Sequence, residues 1–299
     1  MIRTERTVYI VNPVAGKGKS LRIWALLEPL LRKRGEAIEC RVTPGPNSVS
    51  QVARQAFEEG YDRIVAVGGD GTVQEVANGI AGTDCEFGIV PAGTGNDFAK
   101  TLDLPKGLEA LANVLIGDHS IRVDLGRMNG DFFVNIAGAG IDAVIADRVN
   151  RGPVYINGTV TYLVTAIPTL LSYRSPRMRV CIDGNVIEDE MLLVAVGNGQ
   201  YYGGGVKMVP DARVDDGIFH IVIVSGVGRW EAMRLLPLTY SGRHMEYRKC
   251  AVYSGTEVRI DSETLTPVQA DGNIVGVLPA VFTVAPSALR VLVPRGRER

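Results

Sequence analysis

The sequence has no CxxC pair and no histidine pair close to a cysteine. Its four cysteines, Cys40, Cys85, Cys181 and Cys250, are scattered through 299 residues. That argues against a disulfide framework and against a zinc site, and fits a reducing cytoplasm. There is no charge excess either: 32 Lys and Arg stand against 33 Asp and Glu, a formal net charge of -1. This balance gives no support to a dedicated nucleic-acid binder, and any basic surface must be local. The opening MIRTERTVYIVNP passes from charged residues into a short β-branched run, without the longer apolar stretch and cleavage site of a signal peptide. No long run is cleanly apolar. The nearest, Val154 to Tyr173, carries Asn157, four threonines and Pro168, and reads as a buried or lipid-facing helix, not a membrane span. Internal repeats, low-complexity tracts and long flexible linkers are also absent.

What is present is enough apolar material, 46% of residues, to build a large core and two domains. From Thr7 to Val90, β-branched runs alternate with amphipathic stretches: TVYIVN, a helix near Ser20 to Arg34, AIECRV, a helix near Ser48 to Glu59, RIVAVG, a helix near Val73 to Ala81, and FGIV. That alternation predicts parallel strands with crossover helices, an α/β domain over residues 1–122. Short strands separated by turns then follow: IRVDLG, FFVNIAG, RMRVCIDG, MLLVAVGNG, IFHIVIVSG, AVYSG, EVRID, VFTVA and LRVLVP. They predict an antiparallel, sandwich-like β domain over 123–299, interrupted by helices near Ile141 to Tyr173 and Gly228 to Tyr240. The last strand has the option of returning to the first domain. With no long linker, the active site is expected in the cleft between the domains.

Three glycine-rich loops follow strands of the α/β domain and should gather at one sheet edge, where helix N-termini point free N–H groups outward. The first is Asn12-Pro13-Val14-Ala15-Gly16-Lys17-Gly18-Lys19-Ser20. Its tail looks like a P-loop, but Pro13 stands where that motif needs glycine; taken alone it is equally an ordinary strand-to-helix turn. The second, Gly68-Gly69-Asp70-Gly71-Thr72-Val73-Gln74-Glu75, is more specific. Its glycines let backbone wrap a phosphate, and Asp70 can hold a Mg²⁺ that bridges phosphate oxygens. The plain alternative is a tight turn capped by Asp70 or Thr72. In the third, Pro91-Ala92-Gly93-Thr94-Gly95-Asn96-Asp97-Phe98-Ala99, Thr94 can donate to phosphate and Asp97 can position Mg²⁺ or the acceptor hydroxyl. Helix capping by Asn96 and Asp97 is the alternative there.

GGDGTVQEVANG together with PAGTGNDFAKTL resembles the catalytic domain of diacylglycerol kinases, shared with sphingosine and ceramide kinases. IVNPVAGKGKS is similar to that family's nucleotide loop, and FFVNIAGAGIDA and GNGQYYGGGVKMVPDARVDDGIFHIVIV resemble its C-terminal β domain, so the resemblance covers nearly the whole chain. It implies an ATP- and Mg²⁺-dependent lipid kinase of lipid metabolism, cytoplasmic or peripheral at the inner face of the membrane. Its substrate would be a membrane lipid. Oligomeric state stays open, a homodimer included.

By the resemblance, Asn12, Pro13, Gly16 and Lys17, Thr43 after the second strand, Gly68, Gly69, Asp70, Gly71, Thr72 and Glu75, and Thr94 and Gly95 hold the nucleotide. Asp70 and Asp97 organise the catalytic Mg²⁺, and Asp124 matches an acidic position near the site. A structural Mg²⁺ is implied on Asp216, assisted by the carbonyls of Arg213 and Ile218; a hairpin turn is the plainer reading of Asp215-Asp216-Gly217. The acceptor's acyl chains need an apolar groove, for which Val154 to Tyr173 is a candidate wall. Lys17, Lys19 and Arg22, and Arg148, Arg151, Arg174, Arg177 and Arg179, are candidates for binding anionic headgroups, with a solvated rim as the plain alternative.

One position departs from the family. Where bacterial members carry a glutamate after Asp-Gly as the base, this chain reads Gln269-Ala270-Asp271-Gly272-Asn273. Asn273 cannot take a proton, which leaves Asp271 and Asp124 as substitute bases. The alternatives are an NAD kinase-like enzyme, more remotely a 6-phosphofructokinase, or a nucleotide-binding regulator with impaired catalysis.

Overall fold

The computed structural model describes residues 6–43, 45, 48–152 and 158–296. Contacts divide the chain into two units. One runs to Asp124 and takes in the chain from Pro286 onward; the other is Leu125–Ala285.

In the first unit the order is β1 (Thr7–Val11), α1 (Lys19–Lys33), β2 (Glu39–Val42), α2 (Val49–Glu58), β3 (Arg63–Gly68), α3 (Asp70–Ile80), β4 (Glu86–Pro91), α4 (Asp97–Thr101), α5 (Leu108–Leu115) and β5 (Ser120–Met128). β4, β3, β1 and β2 lie side by side, all parallel. β1 and β3 are buried at every residue, which is why they read as continuous apolar runs and not as alternating ones. α1 turns Trp24, Leu27 and Leu31 inward at helical spacing. Trp24 packs on Tyr9, with ring centroids 4.8 Å apart. The Arg63 guanidinium, buried against Glu86, also donates to the carbonyls of Leu115 at 2.8 Å and Gly117 at 3.0 Å, fastening the end of α5 to the sheet. α4 starts where the sequence reading allowed Asn96 and Asp97 to cap a helix, whereas that reading contains no α5.

The second unit continues with β6 (Asp131–Phe133), β7 (Ile136–Gly140), α6 (Ile141–Arg151), α7 (Gly158–Ser172), β8 (Arg177–Ile182), β9 (Asn185–Gly197), β10 (Phe219–Ser225), α8 (Arg229–Thr239), β11 (Cys250–Gly255), β12 (Glu257–Ser262), β13 (Pro267–Ala270), β14 (Asn273–Val277) and β15 (Ala280–Leu292). Its strands pair antiparallel in the order β14-β13-β7-β9-β8-β12-β15, with β10 joined to β9 and β11 to β10. β9 is the hinge of this arrangement. Residues 185–190 pair with β8, and from Met191 onward the strand is buried and pairs with β7 and β10. Phe133, Phe219 and Phe282 fill the space between the strands, while α6, α7 and α8 cover Leu192, Val222 and Val224.

Three expectations change. FFVNIAG is two strands, β6 and β7, because the Asp271 carboxylate takes the amides of Val134, Asn135 and Ile136 at the break. The helical stretch from Ile141 is α6 followed by α7; Val154 and Asn157 lie outside the described residues. VFTVA and LRVLVP are one strand, β15, which pairs with β12 before Pro286 and with β4 at Arg290 and Val291. No helix among the described residues is long and apolar enough to cross a membrane.

Candidate active site

The loops leaving β1, β3 and β4 meet at the carboxyl edge of the parallel sheet. Asn12 follows β1 and holds loop one to loop two. Its amide nitrogen Nδ2 donates to Thr72 Oγ1 at 3.0 Å, and its main-chain amide donates to the Val67 carbonyl at 3.1 Å. Gly16 joins loop one to loop three: its φ is 58°, and a Cβ there would lie 2.2 Å from the Ala92 carbonyl oxygen. Only glycine meets both conditions. Loops two and three touch through bare backbone, since a Cβ on Gly93 would lie 2.6 Å from the Cα of Gly69.

Asp70 completes the link. Standing at the first residue of α3, it accepts the amides of Asn96 on Oδ2 at 2.7 Å and of Asp97 on Oδ1 at 2.5 Å. The carboxylate of loop two thus caps the short helix that loop three opens. Burial, and then the neighbouring Asp97 carboxylate, push the Asp70 carboxyl up to about 6, against the pull of these amides. Asp97 is itself buried and ion-paired with Lys100 at 3.0 Å. Asn96 folds back on Gly93, accepting its amide at 2.8 Å and donating to its carbonyl at 3.1 Å.

Asn12, Gly16, Gly68, Gly69, Asp70, Thr72 and Asp97 are therefore drawn into one surface. The first-turn amides of α3, at Gly71 and Thr72, stand at the same edge. Thr43 is buried at the end of β2, its amide on the Val11 carbonyl at 3.0 Å. Lys17 is exposed with a left-handed φ of 57°, and Thr94 is exposed. Pro13 and Gly95 are half-buried. Glu75, on α3, accepts the Val49 amide at 3.1 Å and braces the start of α2.

Asp124 is buried on β5, where Oδ1 accepts the Ser287 amide at 2.7 Å. Asp271 belongs to the second unit and does different work. Its carboxylate accepts three main-chain amides, Val134 at 2.7 Å, Asn135 at 2.9 Å and Ile136 at 3.2 Å. The turn behind it is pinned as well: Gln269 Oε1 accepts the Gly272 amide and Asn150 donates to the Gly272 carbonyl. Asn273 is exposed at the start of β14. In the Asp216 turn, Oδ1 accepts the Ile218 amide at 3.2 Å and Oδ2 is 3.0 Å from His220 Nε2, while Arg213 reaches Asp215. Among the described residues, no three Asp, Glu, His or Cys side chains are grouped to hold a metal ion.

Two charged residues escape the sequence reading. Lys100 was detectable only as an i,i+3 partner of Asp97. Asp142 lies in GAGIDA at the head of α6, buried, accepting from Gln269 Nε2 at 3.2 Å, with Oδ1 lacking a hydrogen-bond partner among the described residues. It borders a cavity of about 60 Å³ between α6, α7 and α8. Burial pushes its carboxyl up to about 6.

Comparison with known proteins follows the two units. Residues 6–128 match the diacylglycerol kinase catalytic domain family, and residues 135–293 match the YegS C-terminal NAD kinase beta sandwich-like domain family. The chain is 31% identical to a diacylglycerol kinase of Staphylococcus carnosus over 97% of its own length and 96% of the relative's. Against a Staphylococcus aureus diacylglycerol kinase it is 32% identical, covering 93% of this chain and 89% of the relative. A Bacillus anthracis crystal structure superposes with a TM-score of 0.83 at 25% identity, covering 99% of this chain and 97% of the other. A second from the same organism shares the fold with a TM-score of 0.76 at 23% identity, covering 99% of each chain.

Proposed function

The chain belongs to the diacylglycerol kinase family and is a lipid kinase, and from that premise we propose that it transfers the γ-phosphate of ATP, with Mg²⁺, to the free hydroxyl of a diacylglycerol-like lipid. The observation that carries this reading is the Asp70 bridge to Asn96 and Asp97, which joins two glycine-rich loops at one sheet edge and so supports a phosphate-handling role for them.

Phosphoryl transfer asks a protein chiefly for positioning and charge neutralisation. Main-chain amides at Gly69, Gly71, Thr72 and Thr94 are the proposed phosphate donors. Asn12, Gly16 and Lys17 form the wall of loop one, Pro13, Gly68 and Gly95 shape the turns, and Thr43 closes the nucleotide's side. Two neighbouring buried carboxylates, Asp70 and Asp97, suit a divalent cation, because a positive charge relieves the repulsion that raises the Asp70 carboxyl. Bound there, Mg²⁺ would supply charge neutralisation to the phosphate oxygens. Asp216, with the carbonyls of Arg213 and Ile218, is proposed as a second, structural cation site built on one carboxylate.

The acceptor's proton needs a destination as its oxygen bonds to the γ-phosphorus and the bond to ADP breaks. Asp124 is proposed as the proton acceptor. Asp271 is assigned a positioning role, because its oxygens serve three amides, and Asn273 has no basic atom. The test is radiolabelled ATP with extracted membrane lipids: label should appear in a phosphorylated glycerolipid. Label in no lipid, with ATP still bound, would favour a nucleotide-binding regulator.

A further inference from the structure

The Asp216 turn carries a nitrogen donor beside its oxygens. His220 stands four residues after Asp216, and its Nε2 lies 3.0 Å from Asp216 Oδ2. Both side chains are half-buried, at 16% and 20% exposure. The fold sets this pairing. His220 is the second residue of β10, on the strand face that Val222 and Val224 continue, opposite Gly197 of β9. A Cβ on Gly197 would lie 2.8 Å from Val209, so the missing side chain lets the loop that carries Asp216 close over this face. Gly217, with a φ of 75°, then turns that loop into β10.

Among the described residues Asp216 has no charged partner other than His220, because Arg213 reaches Asp215 instead, at 3.3 Å. The contact has a plain explanation, an Nε2–H donating to the carboxylate. Its geometry also suits a shared ion. Two ligands of one ion, each at about 2.1 Å and at right angles, stand about 3.0 Å apart, which is the separation of Nε2 and Oδ2. Carboxylate, carbonyl and water oxygens suit Mg²⁺ and Mn²⁺ alike, and the imidazole separates the two. Mg²⁺ is hard and gives up its waters reluctantly, whereas first-row transition ions accept nitrogen.

We propose that His220 ligates the cation of the Asp216 turn through Nε2 and so selects a first-row transition ion, Mn²⁺, over Mg²⁺. The inference rests on the cation-site reading of Asp216 given above, and adds to it a ligand and a metal class. Mg²⁺ at the same turn takes water where Mn²⁺ takes the imidazole, so the two ions respond differently to loss of His220.

The experiment is pulsed electron paramagnetic resonance of the tag-free full chain loaded with Mn²⁺, which reads nitrogen hyperfine coupling from a directly bound imidazole. Wild type should show that coupling, and His220→Ala and Asp216→Ala should each lose it. The glycine-rich loops cannot supply the signal, since the chain's three histidines, His119, His220 and His244, all lie outside them. Titration calorimetry gives the second readout. His220→Ala should lose at least about tenfold in Mn²⁺ affinity at this site, while its Mg²⁺ affinity stays within about threefold or rises. Mn²⁺ bound at Asp216 without nitrogen coupling, or held equally well by His220→Ala, would overturn the proposal and leave the His220 contact a hydrogen bond. Identical binding of both ions by wild type and Asp216→Ala would overturn the cation-site reading, and this inference with it. If His220→Ala fails to fold, histidine labelled with heavy nitrogen keeps the test decisive in wild type: the coupling should change to the heavy isotope's pattern, and an unchanged spectrum would contradict imidazole ligation.

Discussion

Asp70 and Asp97 are bound to each other through backbone and opposed through charge. The Asp97 amide donates to Asp70 Oδ1 at 2.5 Å, while the Asp97 carboxylate helps raise the Asp70 carboxyl. The bond fixes the distance between loops two and three; a cation bound beside the two carboxylates, as proposed, would relieve the repulsion.

Asp70→Asn should therefore do two things. Turnover with Mg²⁺ and ATP should fall by about 10² to 10³, the scale of losing one charge-stabilising group. Stability should drop only modestly, by roughly 1–3 kcal/mol, because the remaining amide oxygen still accepts one of the two amides. Initial rates and thermal melting of the same preparation check both, and near-normal turnover would remove Asp70 from the site.

Asp271 and Asp124 should separate by the quantity each one moves. Asp271→Ala leaves three amides without an acceptor and should cost at least about 3 kcal/mol, at roughly 1–3 kcal/mol for each buried group. Its folded fraction should retain turnover within about tenfold. Asp124→Asn should keep its bond to the Ser287 amide, melt close to wild type, and lose at least about a hundredfold in kcat. If Asp271→Asn is the dead, well-folded variant, the two roles are exchanged. Asn273→Glu adds a carboxylate at the family's usual position and should raise the rate of an Asp124→Asn background.

Mg²⁺ should raise the melting temperature of wild type, and Asp216→Ala should abolish the part of that shift due to the structural site. His220→Ala removes a neighbour 3.0 Å from Asp216 Oδ2, so the shift should persist or grow. Calorimetric melting with and without Mg²⁺ checks this; a shift unaltered in Asp216→Ala contradicts the cation site.

Asp142 gives a pH dependence of defined sign. Its carboxyl is ordinarily near 3.8 and is pushed up to about 6 in the fold. Between those values the folded chain keeps a proton that the unfolded chain has released, so this group's contribution falls as pH rises from about 4 to about 6 and stays low above that. Asp142→Asn should consequently stabilise the protein at pH 7, by on the order of 3 kcal/mol at most. The gain should shrink as pH falls toward 4. Melting of both proteins across that range checks it, and a gain that grew on acidification would have the wrong sign.

The sequence was readable where structure is local. TVYIV and RIVAVG are continuous apolar runs, and a strand buried on both faces has no other appearance. The glycines of the three loops announced close backbone approach, which Gly16 against Ala92 and Gly93 against Gly69 realise. Long-range links were not readable. The Asp271 clamp that splits FFVNIAG joins residues 137 positions apart, and the division of β15 between two sets of partners depends on strands distant in the chain. β13 and β14 carry neither a continuous apolar run nor a clean alternation, with Pro and Gln in PVQA and Asn and Gly in NIVGV. Asp142, a lone carboxylate between Ile141 and Ala143, has no local signature; only enclosure distinguishes it.

The most direct test of the account gives purified wild type Mg²⁺ and γ-labelled ATP with dioleoylglycerol and NAD together as competing acceptors. Label in phosphatidic acid, lost in Asp70→Asn, is the predicted result. Label in NADP, or ATP bound with neither acceptor labelled, would contradict it.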